Sequence, residues 1–237
     1  MDAILKTLFS SEEQEVYALD CLSYLIMVMA FITFVTLLFE HVPYGRYASS
    51  RYGFPVNVQF AWFVHLCAKI MHRPNQLLLL MFIFHYLQRY DFSLLYNIKN
   101  EKKKKIYVGA RYLSHYADYP PGWVTHPYFI TGSCMWFLGC IINIHSDYIL
   151  RYLRKPGETG YKIPRGGMYE YVSGANFFGE IVEWTGFALA GHSVHSAAFA
   201  LFTLIVLSSR GMAHHKWYLT KFEDYPKSRK ALIPFVL

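Results

Sequence analysis

Apolar positions in this chain fall into long continuous runs separated by short polar breaks, the pattern of membrane helices rather than of strands. Residues 17–39, YALDCLSYLIMVMAFITFVTLLF, are long enough to span a bilayer, with Asp20 near one end. EHVPYGRYASSRYGFP then breaks the pattern, and residues 56–71 resume it in a shorter run carrying Trp62, His65 and Lys69. Residues 76–96 form a third segment whose second half carries His85, Gln88, Arg89 and Asp91. The lysine block in NIKNEKKKKI reads as a polar loop on the cytoplasmic flank. Residues 106–120, aromatic and partly polar, read as a short buried or tilted helix ending at Pro120 and Pro121. Further helices are expected over 128–144, over 168–190 with embedded acids, and over 194–210 ending at Arg210. The expected fold is therefore all-α: a polytopic membrane protein with about six or seven transmembrane helices around a cavity. No internal repeat of useful period is visible.

Composition agrees with membrane embedding. The chain is 54% hydrophobic and 16% charged, against about 25% charged for an ordinary soluble domain. Its net charge of +7 sits mostly between apolar segments, where membrane orientation and phosphate binding account for it without nucleic acid. Cys21, Cys67, Cys134 and Cys140 lie in or beside apolar runs without CxxC spacing, so neither a disulfide framework nor zinc is indicated. The first residues lack the basic start, apolar core and small-residue site of a cleaved signal peptide.

Candidate chemistry appears when the helices are wound. At about 100° per residue, Asn143, Asp147, Arg151 and Arg154 fall within roughly 80° of one another, a polar stripe running from a span to the interface. Asp147 and Arg151 have the spacing of a helical ion pair. In YVSGANFFGEIVEW, Asn176, Glu180 and Glu183 share a face of about 60°. Arg210, His214 and Tyr218 are spaced by four on a third helix. Polar glue between helices is one reading of these stripes. Three stripes holding both acids and bases favour a shared ligand-filled cavity. Arginine forks suit phosphates, and Asn, Asp and Glu suit hydroxyls or an amide, which is the inventory for a nucleotide.

Other chemistries are weakly signalled. The chain has no GxGxxG, no GxxxxGK[ST] and no HExxH. His192, His195, His214 and His215 form no clear metal constellation, so no metal is expected. SDY carries no nucleophile elbow. His145 lies off its neighbours' stripe and reads as a packing or capping residue.

The run NIHSDYILRYLRKPGETGYKIPRGGMYEYVSGANFFGEIVEW and the tail FEDYPKSRKALIPF resemble the steroid 5α-reductases, and weaker similarity extends back to about Trp62. The resemblance implies an endoplasmic-reticulum membrane enzyme with seven helices that uses NADPH to reduce the C4–C5 double bond of 3-oxo-Δ4 steroids. By the same resemblance Asn143, Asp147, Arg154, Tyr161, Asn176, Glu180, Glu183, Arg210, His214 and Tyr218 belong to the cofactor pocket, and Arg151 joins them as a member of the first helical stripe. Tyr86, in FHYLQRY, matches the tyrosine that donates to the steroid C3 carbonyl, and Arg89 supports that pocket. Residues 1–237 then form one reductase domain, with substrate-side helices over 56–96 and a cofactor region over 125–237.

One segment departs from the family. After AWF its members carry Gln-Glu-Leu-Pro, whose glutamate partners the tyrosine. Here the positions read His65, Leu66, Cys67 and Ala68. Leu66 thus stands in place of the acid, and His65 replaces it as donor only if the helix rotates. The expected ligands are a steroid or related enone lipid, and the phospholipid bilayer. A reductase of another enone lipid, a membrane scaffold retaining the cofactor fold, and a transporter with buried charges are the competing readings.

Overall fold

The computed structural model describes residues 11–39, 72–93, 117–155 and 157–237. Five long helices occupy them: α1 (Glu12–Phe39), α2 (Arg73–Ser93), α3 (Pro127–Arg151), α4 (Ala175–Gly191) and α5 (Val194–Lys221). Short 3₁₀ turns lie at Trp123–Thr125 and Gly167–Glu170. The all-α expectation holds, but that of six or seven membrane helices is corrected. Among the described residues three helices are long and apolar enough to cross a membrane, within Glu13–Ile32, Pro127–Arg151 and Val194–Lys221.

The reasons are local. The segment expected over 168–190 becomes a helix only at Ala175, because residues 171–174 pair with the C-terminal tail instead. The remaining 17 residues of α4 rise only about 25 Å, less than the roughly 30 Å of a hydrocarbon core. In α2, polar residues such as Asn75, His85, Gln88 and Arg89 dilute the apolar run below that of a free span. The expected helix over 56–71, and residues 106–116 of the next, lie outside the described residues.

Helix ends follow their sequences. Pro127 opens α3 behind His126, whose ring accepts from the Tyr128 N–H. A Ser193–Ser196 capping box opens α5. Between α4 and α5 His192 takes the left-handed conformation, φ 39°, which turns the chain within two residues.

The most extensive helix contact among the described residues joins α3 to α4. It is set by glycines seven apart on each helix: Gly132 and Gly139 on α3, Gly179 and Gly186 on α4. A Cβ on Gly132 would lie 2.5 Å from the Ala190 nitrogen, and one on Gly179 would lie 2.6 Å from the Asn143 nitrogen. The backbones therefore touch, as small residues permit in membrane helix pairs. This seam carries Asn143 into contact with α4. Leu78, Phe82, Trp136, Trp184 and Phe187 form the adjoining apolar core, with Tyr86 packed on its edge.

The tail folds back as a strap. Lys230 N–H donates to the Tyr171 carbonyl, and its own carbonyl accepts from Ser173 N–H, both at 2.9 Å. Arg229, buried, donates to the Pro164 carbonyl at 2.8 Å and reaches Glu170 at 3.4 Å. The Gly166 N–H donates to the other Glu170 oxygen at 2.5 Å. That backbone bond, followed by Arg229, holds the Glu170 carboxyl below its ordinary 4.5. A depressed carboxylate stabilises fully above its unfolded pKa and ceases to do so as pH falls through its folded value. Glu170→Gln is accordingly expected to flatten the acid limb below about pH 4.5. Thermal unfolding of both proteins across that range checks it.

Candidate cofactor and substrate site

The site is built where the ends of α3, α4 and α5 meet the strap. Asn143, 0% exposed, lies on the glycine seam and donates through Nδ2 to the Asn176 carbonyl at 2.9 Å. Asp147, 8% exposed, follows one turn later on the same face. Asn176, in the first turn of α4, receives a long hydrogen bond at 3.5 Å from the Tyr169 hydroxyl.

Tyr169 is the hub of this end of the molecule. Burial, and after it the fields of Asp147 and Tyr218, push its hydroxyl well above the ordinary 10.0. It therefore remains a neutral donor, with Asp147 of α3, Asn176 of α4 and Tyr218 of α5 around it. The sequence reading missed Tyr169. The available signal was a tyrosine in a glycine-bounded turn immediately before a polar stripe.

On α5, His214 packs its ring against Phe177 at 5.6 Å, beside Asn176. Tyr218 stacks on Tyr225 of the strap at 5.1 Å and 12°. Behind them the Ser173 hydroxyl contacts His215 Nδ1 at 2.6 Å and the Tyr225 hydroxyl at 2.7 Å, which locks the strap to α5 and to the turn that precedes α4. Arg210 is half-buried one turn before His214. Arg151 and Arg154 are exposed at the end of α3, and Tyr161 is exposed with its ring 5.0 Å from Trp217 of α5. The structure thus brings Asn143, Asp147, Asn176, His214 and Tyr218 to one end of the bundle, with Arg151, Arg154 and Tyr161 on its outer rim.

Glu180 and Glu183 turn toward α2 instead. Glu183 is 0% exposed, and its Oε1 accepts from His85 Nδ1 at 2.8 Å. Glu180 lies 4.0 Å from the other ring nitrogen of His85. A second polar tie follows on α2, where the Gln88 amide donates to Asn143 Oδ1 at 3.1 Å. Tyr86 sits between these ties in sequence, its ring 5.1 Å from those of Phe82 and His85 and 6.1 Å from that of Trp184. Arg89 lies in the last turns of α2, whereas Trp62, His65 and Leu66 lie outside the described residues.

Known proteins resemble this chain in sequence. The family model described as 3-oxo-5-alpha-steroid 4-dehydrogenase matches residues 93–237. The 3-oxo-5-alpha-steroid 4-dehydrogenase 1 of Rattus norvegicus is 49% identical, over 95% of this chain and 98% of its own length. That of Homo sapiens is 45% identical over 81% and 85%. The human 3-oxo-5-alpha-steroid 4-dehydrogenase 2 is 50% identical over 69% of each chain. The rat alignment runs over 256 positions, more than the 237 residues of this chain, so the rat protein has internal residues without counterpart here. A match of this identity over nearly the whole chain places it as a member of the 3-oxo-5-alpha-steroid 4-dehydrogenase family.

Proposed function

We propose that this membrane protein reduces the C4–C5 double bond of 3-oxo-Δ4 steroids to 5α-steroids with NADPH. The observation that carries the reading is the contact between the Tyr86 helix and the Asn143–Asn176 cluster, through the Gln88 amide that donates to Asn143. It brings a candidate carbonyl donor beside a candidate cofactor cradle in a chain of this family.

The chemistry of the donor set fits a dinucleotide. Amides and a carboxylate at Asn143, Asn176 and Asp147 suit ribose hydroxyls and a carboxamide. Arg151, Arg154 and Arg210 suit phosphates through charge-assisted bonds. His214 and Tyr218 add ring faces and further donors. When bound, NADPH supplies the hydride that joins C5 while a proton joins C4, and leaves as NADP+.

What the protein contributes is position and polarity. A Tyr86 hydroxyl donating to the C3 oxygen stabilises the negative charge that develops there as hydride reaches C5. Phe82, Trp184 and Tyr86 give an apolar, aromatic surroundings suited to a steroid skeleton. Basic residues gather where α3 and α5 end, among them Arg151, Arg154, Lys162, Arg165 and Lys221. By the positive-inside tendency we place that end in the cytosol; the family resemblance supports the endoplasmic reticulum as the membrane.

The test is cofactor binding by fluorescence in detergent with phospholipid. The intact protein should bind NADPH, and Asn143→Ala combined with Asp147→Ala should weaken binding about tenfold or more. Undiminished affinity in that variant would remove the cradle from the account. A second reading, reduction of another enone lipid, is favoured by the residue Leu66, at the position where the resemblance implies a glutamate. Turnover of a non-steroid enone in preference to testosterone would select it.

A further inference from the structure

We propose that His85 and Glu183 form a buried positioning couple for Tyr86, and that Glu183 belongs to this couple rather than among the cofactor's ligands. The inference rests on Tyr86 being the carbonyl donor.

Glu183 shares a helical stripe with Asn176 and Glu180, yet its surroundings differ. It is 0% exposed, and it lies on the face of α4 that the α3 backbone covers. A Cβ on Gly139 would come within 2.7 Å of the Glu183 Cα. The Glu183 side chain is directed instead to His85, itself 2% exposed.

Four contacts hold the His85 ring. Nδ1 donates to Glu183 at 2.8 Å, and the other nitrogen faces Glu180 at 4.0 Å. The ring meets Trp184 edge-on at 4.6 Å and Tyr86 at 5.1 Å. A carboxylate inside a membrane-embedded helix is costly without a partner, so this pair is held together strongly. Its mechanical effect falls on α2. That helix contacts α4 far less extensively than α3 does, so specific polar ties set its rotation. His85 and Gln88, three apart and on one face, tie α2 to α4 and to α3 respectively. Any turn of α2 about its axis breaks both ties and swings Tyr86 away from the cofactor end. His85 is therefore a positioning residue, acting through its neighbour.

The experiment is a double-mutant cycle read in steroid turnover, with NADPH binding measured alongside. Replacing both partners, His85→Phe with Glu183→Met, leaves no buried unpaired charge and keeps a packed core. In the intact background Tyr86→Phe should cost about 100-fold or more in kcat. In the His85→Phe/Glu183→Met background it should cost less than about tenfold, because the hydroxyl is already misplaced. NADPH affinity should stay within about threefold throughout. Equal Tyr86→Phe penalties in the two backgrounds would overturn the couple. A tenfold loss of NADPH affinity on replacing Glu183 would restore it to the cofactor set. Should the double variant fail to fold, Glu183→Gln serves: it removes the charge that holds the His85 ring, so kcat is expected to fall about tenfold while NADPH affinity stays within about threefold of wild type, and an unchanged kcat would overturn the couple. A tenfold loss of NADPH affinity in that variant again refutes the assignment. A Tyr86→Phe change without effect in the intact protein would instead remove Tyr86 as donor, a separate failure that leaves the cofactor arm readable.

Discussion

Tyr86→Phe is expected to lower kcat for steroid reduction by about 100- to 1,000-fold, the loss typical of one oxyanion donor, with NADPH affinity unchanged. The substitution removes a single hydroxyl and keeps the ring that packs on Phe82 and Trp184, so the core at the edge of α2 is preserved. The donor acts on charge that develops as hydride reaches C5, so its effect falls on the transition state more than on binding. A selective kcat loss is the signature of an interaction made in the transition state. Steady-state kinetics with separate cofactor titrations distinguish this from a folding defect, which would reduce both. A rise in steroid KM alone would make Tyr86 a binding contact instead.

Gly139→Ala is expected to be the most damaging single methyl in the described structure. Overpacking a core ordinarily costs about 1–3 kcal/mol, and this position belongs at the upper end. The added carbon would lie 2.6 Å from the Gly179 carbonyl oxygen, and the obstruction is backbone, which cannot rotate away. Relief requires α3 and α4 to separate, and their separation withdraws Asn143 from Asn176 and loosens Glu183. Folded yield and thermal unfolding in detergent should fall sharply for Gly139→Ala, with NADPH affinity lost in the fraction that folds. An unchanged unfolding temperature would mean that the two helices pack less closely than the seam requires.

Several parts of this structure were legible in the sequence because they depend on local periodicity. Of the stripe Asn143, Asp147, Arg151 and Arg154 the first three lie on a single helix, Pro127–Arg151, and Arg154 falls beyond its end; Arg210, His214 and Tyr218 share Val194–Lys221, which runs past the end expected at Arg210. The resemblance carried by NIHSDYILRYLRKPGETGY and FEDYPKSRKALIPF is matched by the family model over 93–237. Features that depend on distant partners were not legible. Residues 168–174 read as helix because they are apolar, but they are fixed by Lys230 and Ala231 some sixty residues away. The number of spans was read from runs of apolar residues, and such runs do not distinguish a lipid-facing helix from α4, which packs against α3. Periodicity also placed Glu183 with Glu180, while only the fold directs it to His85. The glycine seam did leave a trace, in the seven-residue spacing of Gly132 with Gly139 and of Gly179 with Gly186. So did His85, an ionisable residue in an apolar helix beside Tyr86.

The most direct test of the central claim is isotopic. The purified protein in detergent with phospholipid would be incubated with testosterone and NADPH deuterated at both C4 positions of the nicotinamide, and the steroid product analysed by mass spectrometry and NMR. The expected product is a 5α-reduced steroid carrying one deuterium at C5 and a solvent-derived hydrogen at C4. Deuterium elsewhere on the steroid, or unreduced testosterone from a protein that binds NADPH, would contradict it.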